Sequence, residues 1–527
     1  MRTRLALAAV VALALVPTPA AAKEKTWSLG VAAGEVTSNS AILWAHANQK
    51  GEARLQIDTE PSFNHPTRVD NVHARDTTDF TVQVQVTGLQ PGTTYYYRWL
   101  MGSDPSDTGR FKTPPASGAD QTIRFAYSGD ADAQRAPNQT TPYWDTQPGN
   151  NGLGAESFGI YRQMTAEGND FNVNLGDTIY SDTEVPGDGV ALSVAAKRAK
   201  YRQNLALPAL QNLRESGAVY NHWDDHEFIN DFSKAENGDA IYQAGVQAFT
   251  EYMPVHFTQS EGIYNTERWG KNLELFRLDE RSFRSAKASA GGTCDNPQTH
   301  QPDLAPTAPQ STRNFFSLLV PSLAQPVSQA CKDRINDPNR TMLGSAQFDR
   351  FTQAIKNSTA KFKVVLNEVP IQMFYALPYD RWEGYEAERQ QLLHFLQNNN
   401  VKNVIFLTTD THANFLNVVR YKTLESGGPQ DSPYHEFVTG PVSTKRFTAE
   451  IDDTTGTPGS GDLIAAFFFK PPPPAGMGME CVNGNIYSYA EVQVTGTTLT
   501  VTAKDVHGNV VLDQVSHTPC VFTLPAT

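Results

Sequence analysis

A chain of 527 residues, 39% hydrophobic and 19% charged, has the composition of a globular protein large enough for two or three cores. Its 56 acidic residues outnumber 43 basic ones, for a formal net charge of −13, which speaks against a binder of nucleic-acid backbones. Four cysteines permit two disulfides, in any of the three connectivities four cysteines allow; the sequence-local pairing is Cys294 with Cys331 and Cys481 with Cys520.

Residues 1–22 read as a secretory signal. Arg2 and Arg4 precede the apolar stretch Leu5 to Val16, and Ala20, Ala21 and Ala22 offer a small-residue cleavage site. The expectation is a secreted or periplasmic protein, where disulfides persist. No later segment approaches a membrane span. From residue 27 to 115, short alternating runs such as Ser40 to Ala45 and Thr78 to Val86 are separated by turns, among them Leu89-Gln90-Pro91-Gly92. This spacing predicts an Ig-like or fibronectin-like β-sandwich. Pro114 to Gly118 reads as a linker.

Over 121–527 strand-like runs alternate with helical stretches, which implies an α/β domain. Helices are expected over 161–169, 191–212 (with Pro208 as a kink or boundary), 240–252, 346–357 and 385–398. Residues 285–338, rich in Pro, Ser, Thr and Gln, read as a surface insertion. The runs 486–494 and 497–503 close the chain as a β-hairpin.

Four apolar runs end in carboxylates or histidines. Ile123 to Ser128 leads to Asp130 and Asp132; Phe171 to Leu175 leads to Gly176, Asp177 and Tyr180. Ala218 to Trp223 leads to Asp224, Asp225, His226 and Glu227; Val404 to Thr408 leads to Asp410 and His412. Buried parallel strands read as continuous apolar runs, and ligands gather beyond their carboxyl ends. An Asp straight after Gly176 can offer one oxygen to each of two metals, and Tyr180 can return to the same point after one helical turn. Three carboxylates and an imidazole within four positions cost desolvation unless cations compensate them. The bland alternatives are N-caps, solvated loops and a structural histidine. The set points instead to metal-assisted hydrolysis.

Gly176-Asp177-x-x-Tyr180, Trp223-Asp224-Asp225-His226-Glu227 and Asp410-x-His412 resemble the motifs of calcineurin-like metallophosphoesterases. Asp380-Arg381-Trp382-Glu383-Gly384-Tyr385, Glu388-Arg389 and Glu436-Phe437-Val438-Thr439-Gly440-Pro441 resemble, more narrowly, the PhoD-like alkaline phosphatases. The resemblance implies a metallophosphoesterase-type β-sandwich flanked by helices and preceded by an N-terminal β-sandwich. It also implies a metal cluster, often ferric iron with calcium, that hydrolyses small phosphate esters. Asp177 would bridge the metals, Tyr180 would bind iron, and Asp410 and His412 would be ligands. Asp225 stands where the superfamily usually has Asn, with catalytic His226 beside it as proton donor to the leaving oxygen. The chain departs from the family twice. Asp130 follows the first strand where a cysteine is common, and this hard oxygen also admits Mn or Zn. Asn367 and Glu368 follow the strand Phe362 to Leu366 where the superfamily supplies a histidine. A phosphodiesterase or phospholipase D-like activity, or a non-catalytic surface binding protein, are the alternatives. The sequence carries no signal for an oligomeric state.

Overall fold

In the computed structural model the described residues are 25–150, 158–187 and 189–527; the signal reading over 1–22 lies outside them. Strands Ile123–Ser128, Phe171–Leu175 and Ala218–His222 lie side by side and parallel. They belong to a sheet of nine that runs 521–525, 498–505, 488–494, 123–128, 171–175, 218–222, 27–34, 40–47, 81–87. A second sheet of seven places Phe362–Leu366 and Val404–Thr408 in parallel at its centre. The C-terminal hairpin joins the first sheet, where Ser488–Val494 pairs with Ile123–Ser128.

The two sheets face each other over one core. Phe125, Tyr127, Val173 and Tyr220 of the first meet Leu275, Val364, Leu407 and Phe437 of the second. Tyr127 Oη crosses the layer and donates to the Phe437 carbonyl at 2.7 Å. The intervening residue Ala126 points the other way, as the two-residue period of a strand requires. On that outer face it meets helices Val194–Leu205, Pro208–Ser216 and Asp239–Tyr252 through Tyr201, Leu210 and Phe249. Pro208 opens the second of these helices, where its missing N–H costs nothing. Helices Ser345–Asn357 and Glu386–Asn398 cover the outer face of the other sheet through Phe351, Ile355, Leu392 and Leu396. The order is helices, sheet, sheet, helices. Strands Ile123–Ser128, Phe171–Leu175, Ala218–His222 and Val404–Thr408 contain no carboxylate, and their acidic residues begin beyond the ends.

The N-terminal part is β-rich and two-layered, and it is not separate from the rest. Strands 51–58, 67–74, 94–101, 104–105 and 109–112 form their own sheet. Strands Trp27–Gly34, Ser40–Ala47 and Thr81–Thr87 instead extend the nine-stranded sheet, joined by a parallel pairing of Ala33 with Ala218. Both disulfides follow the sequence-local pairing, Cys294–Cys331 and Cys481–Cys520. The stretch 285–338 is more than a surface insertion. It carries helices Gln310–Phe316 and Gln329–Ile335, and its Ala305, Ala308 and Leu323 are buried with Phe374, Phe415 and Phe468. Its few apolar residues lack regular spacing, so periodicity did not reveal this burial. No helix of the described residues is long and apolar enough to cross a membrane.

Candidate metal centre

The three parallel strands of the first sheet and Val404–Thr408 of the second end at one cleft. Each hands the chain to a tight turn. Asp130, Asp177, Asp410 and His412 all take positive φ, at 62°, 49°, 64° and 53°. Side chains with a Cβ avoid this region at about 1–3 kcal/mol each, and such strain concentrates where a side chain must be aimed. Two glycines make room. At Gly176 (φ 93°) a Cβ would lie 2.7 Å from the Asp224 Cβ, and at Gly440 (φ 124°) one would lie 2.6 Å from Asp130 Oδ2. Tyr180 arrives by a bend rather than by the expected helical turn, because the left-handed Asp177 precludes a helix there.

The sequence-predicted residues converge. Ligand-type atoms of Asp130, Asp177 and His412 lie within 4.8 Å of one another, as do those of Asp177, Asp225 and His226. Asp177 is common to both groups, the position a bridging carboxylate needs. Tyr180 Oη is 3.2 Å from His412 Nε2, and the Tyr180 ring centroid is 4.1 Å from that of His226. Asp177, Tyr180, Asp225, His226, Asp410 and His412 all line a cleft of about 360 Å³, within the range of small-molecule sites. Asp130 lies behind them, 1% exposed.

Other side chains fix this set, and the sequence did not single out their roles. Buried Glu227 accepts backbone N–H groups from Asp177 at 3.2 Å, Thr178 at 2.7 Å and Asp224 at 2.7 Å, tying two strand-end turns together. His412 Nδ1 is 2.8 Å from Glu450 Oε1, the acceptor that a ligating histidine requires on its second nitrogen. His226 Nδ1 is 2.6 Å from Asp182 Oδ1, and the other oxygen of Asp182 accepts from the Asn230 N–H at 2.8 Å. Asp224 turns away from the cleft into an ion pair with buried Arg281. Asp132 accepts from Thr183 Oγ1 and from the Gln134 N–H, so it shapes its loop. Asn367 bonds the Val369 carbonyl and the Trp382 indole, and Glu368 lies 3.0 Å from His222 Nδ1; neither lines the cleft. A third acidic group, Asp225, Asp231 and Asp380, also has atoms within 4.8 Å of one another. Arg281 and Arg284 already neutralise Asp380, and Lys287 pairs with Asp231 at 3.0 Å.

The electrostatics favour a cation. Burial pushes Asp130 up to about 6, with His412 pulling the other way. Burial lifts Asp177 and Asp410 well above the carboxylate range, with His226 opposing the rise at Asp177 and Asp224 adding to it at Asp410. Burial likewise raises the Tyr180 phenol, reinforced by Asp177 and Asp130. For His226 burial opposes the charge, yet Asp225, Asp177 and Asp182 outweigh it and hold the imidazolium well above its ordinary range. For His412 burial again opposes, and Glu450 and Asp130 bring it to about 9. A metal ion would satisfy carboxylates that burial otherwise protonates. Asp130 Oδ2 marks the place: it is buried and, among the described residues, has no hydrogen-bond partner. A buried orphan acceptor costs free energy, and a cation removes that cost. The donor set of carboxylates, imidazole and a phenol fits hard or borderline ions.

Comparison with known proteins gives the family and the fold. Residues 148–464 match the family model described as PhoD-like phosphatase, and residues 12–115 match the model of its N-terminal domain. Asp130 falls between the two matched stretches, so its place at the site rests on geometry. Alkaline phosphatase D of Bacillus subtilis (strain 168) is 24% identical over 441 residues, 74% of this chain and 65% of that one. The chain thus matches just under two thirds of that relative's length. The structure titled "Structure of PhoD" superposes with a TM-score of 0.69 at 20% identity, covering 92% of this chain and 87% of that one. Purple acid phosphatase PPD1 from yellow lupin seeds superposes with a TM-score of 0.57 at 11% identity, covering 95% and 74%. Both share the fold.

Proposed function

The chain belongs to the PhoD-like phosphatase family, and from that premise we propose that it is an exported, metal-dependent phosphatase that hydrolyses phosphate monoesters. The observation that carries this reading is the pair of ligand groups, Asp130, Asp177 and His412 beside Asp177, Asp225 and His226, that share Asp177. Asp130, Asp177, Tyr180, Asp225, Asp410 and His412 would hold the ions. When bound, these ions supply Lewis acidity that activates water near neutral pH and neutralises phosphoryl oxygens.

The remaining work falls to the protein. His226, clamped by Asp182 through Nδ1, donates its Nε2 proton to the departing alcohol oxygen. Arg381 at the cleft supplies positive charge toward the anionic ester, whereas Lys445 is paired with Glu184 and Asp453. Glu450 holds the His412 ring in one orientation. Two disulfides support the exported reading. In this reading the ions would be ferric iron and calcium, as the family resemblance implies, with Mn or Zn also admitted by the hard oxygen of Asp130.

Elemental analysis of the purified protein, with rates on a chromogenic monoester and the matching diester, tests the reading. The expected result is bound metal, loss of activity on chelation, recovery on adding one ion back, and the monoester as the faster substrate. A faster diester would turn the assignment to a phosphodiesterase, and a metal-free protein inert on both would leave a binding protein. With ferric iron bound, the phenolate of Tyr180 gives a visible charge-transfer band that Tyr180→Phe abolishes. A colourless, iron-free and fully active protein would reject iron alone.

A further inference from the structure

We infer that an apolar pocket adjoining the cleft seats the hydrocarbon part of the substrate, an alkyl chain or aryl ring attached to the phosphate. The inference rests on the phosphate-ester reading and adds the chemistry of the organic group. The pocket is walled by Phe316, Val320 and Leu323 from the stretch 285–338, Phe374, and Phe468 and Phe469 near the chain's C-terminal part. It adjoins the metal cleft: Leu377, Arg381, Phe447, Ile451 and Thr454 line both. A phosphate held among the ligands therefore directs one ester substituent toward this wall of rings.

The pocket offers little to a polar guest: apart from Thr312, Thr454, Thr455 and two arginines its lining is apolar. The two charged residues that line it are engaged elsewhere. Arg313 donates to both oxygens of Asp303, at 2.5 and 2.9 Å, and to the Ala305 carbonyl at 2.6 Å. Arg381 donates to the Leu377 carbonyl at 2.8 Å and lies 5.0 Å from the Phe374 ring centroid. A polar group entering here would lose its water without replacement. The wall is held by rings: the Phe316 and Phe468 centroids are 4.9 Å apart and edge to face. Residues Ala465–Phe469 form one turn of π-helix, a form that recurs at functional sites.

The test is calorimetric binding of a series from methyl- to hexylphosphonate, whose P–C bond the proposed hydrolysis does not cleave, below aggregation, to the metal-loaded protein. Affinity should tighten by about fourfold per methylene, the gain for moving one CH₂ out of water. Ala308→Phe fills the pocket and should flatten the series while methylphosphonate binds as before. Phe316→Ala opens the wall and should lower the increment. Phenylphosphonate separates the sources: binding tighter than hexylphosphonate assigns the pocket to a ring, weaker binding to a chain. A flat series in the natural protein, or an equally steep one in a folded Ala308→Phe variant, overturns the inference. A steep series with no hydrolysis of any ester would leave the inference standing and remove the phosphatase reading instead.

Discussion

Two cavities meet at Leu377 and Phe447 and are built in opposite ways. The metal cleft, about 360 Å³, is walled by carboxylates and imidazoles, with Asp177, Asp410 and His412 on strained turns and both imidazoles held by carboxylates. The apolar pocket, about 120 Å³, is walled by rings and aliphatic side chains from segments distant in sequence. A ligand atom misplaced by a fraction of an ångström loses a metal. A ring wall, by contrast, tolerates any exchange that conserves volume. The cleft is thus the rigid part and the pocket the adjustable part, so a substitution in one should leave the other's readout unchanged.

The largest expected effect is in the cleft. Asp177→Asn removes a charge shared by both ligand groups and should lower kcat/KM by about 10⁴-fold, about 5 kcal/mol of transition-state stabilisation. Metal content should drop while the thermal midpoint stays near that of the natural protein. A variant with natural rate and metal content would take Asp177 out of the site. His226→Gln should cost about 10²–10³-fold, within the general-acid range, and more for an alkyl ester than for an aryl ester, whose leaving group needs less help from an acid. Equal losses on the two would sink the proton-donor role.

Asp182→Asn sharpens the assignment through pH. His226 must be protonated to donate, so activity falls as pH rises through its pKa. Asp182 helps hold that pKa high, and its replacement should move the basic limb of the rate profile to lower pH. An unmoved limb would detach Asp182 from the chemistry. Glu450→Gln, which weakens the partner of His412 Nδ1, should cost about 10–100-fold in metal affinity, read as the chelator concentration that strips the protein. None of these cleft substitutions should change the thermal response of the pocket wall.

The cleft was legible for a physical reason. Strands buried on both faces, such as Val404–Thr408, leave no place for a charge until they end, so Asp410 and His412 stand out. Asp182 and Glu450 were not legible: one is 44 residues from its histidine partner and the other 38, and only the loop paths bring them together. The continuity of the N-terminal strands with the catalytic sheet was hidden too, since it hangs on Ala33 and Ala218, two alanines without any local signal. The pocket left least trace. Aromatic side chains at 316, 374 and 468 look like ordinary core residues until the fold sets them beside an open cleft.

The smallest expected change in chemistry comes from the Cys294–Cys331 bridge, which closes a stretch with a sequence separation of 37. Loop-closure entropy gives such a bridge about 3–4 kcal/mol. The double replacement Cys294→Ser with Cys331→Ser should lower the thermal midpoint or, if the rest of the chain unfolds independently, release only this stretch to proteolysis. Helix Gln310–Phe316 lies inside the closed loop and contributes Phe316 to the pocket, whereas neither half-cystine lines the cleft. Turnover of methyl phosphate should therefore persist within about twofold, while the gain in affinity with chain length diminishes. Loss of both together would mean that the loop also braces the metal ligands, and the separation of rigid cleft from adjustable pocket would fail.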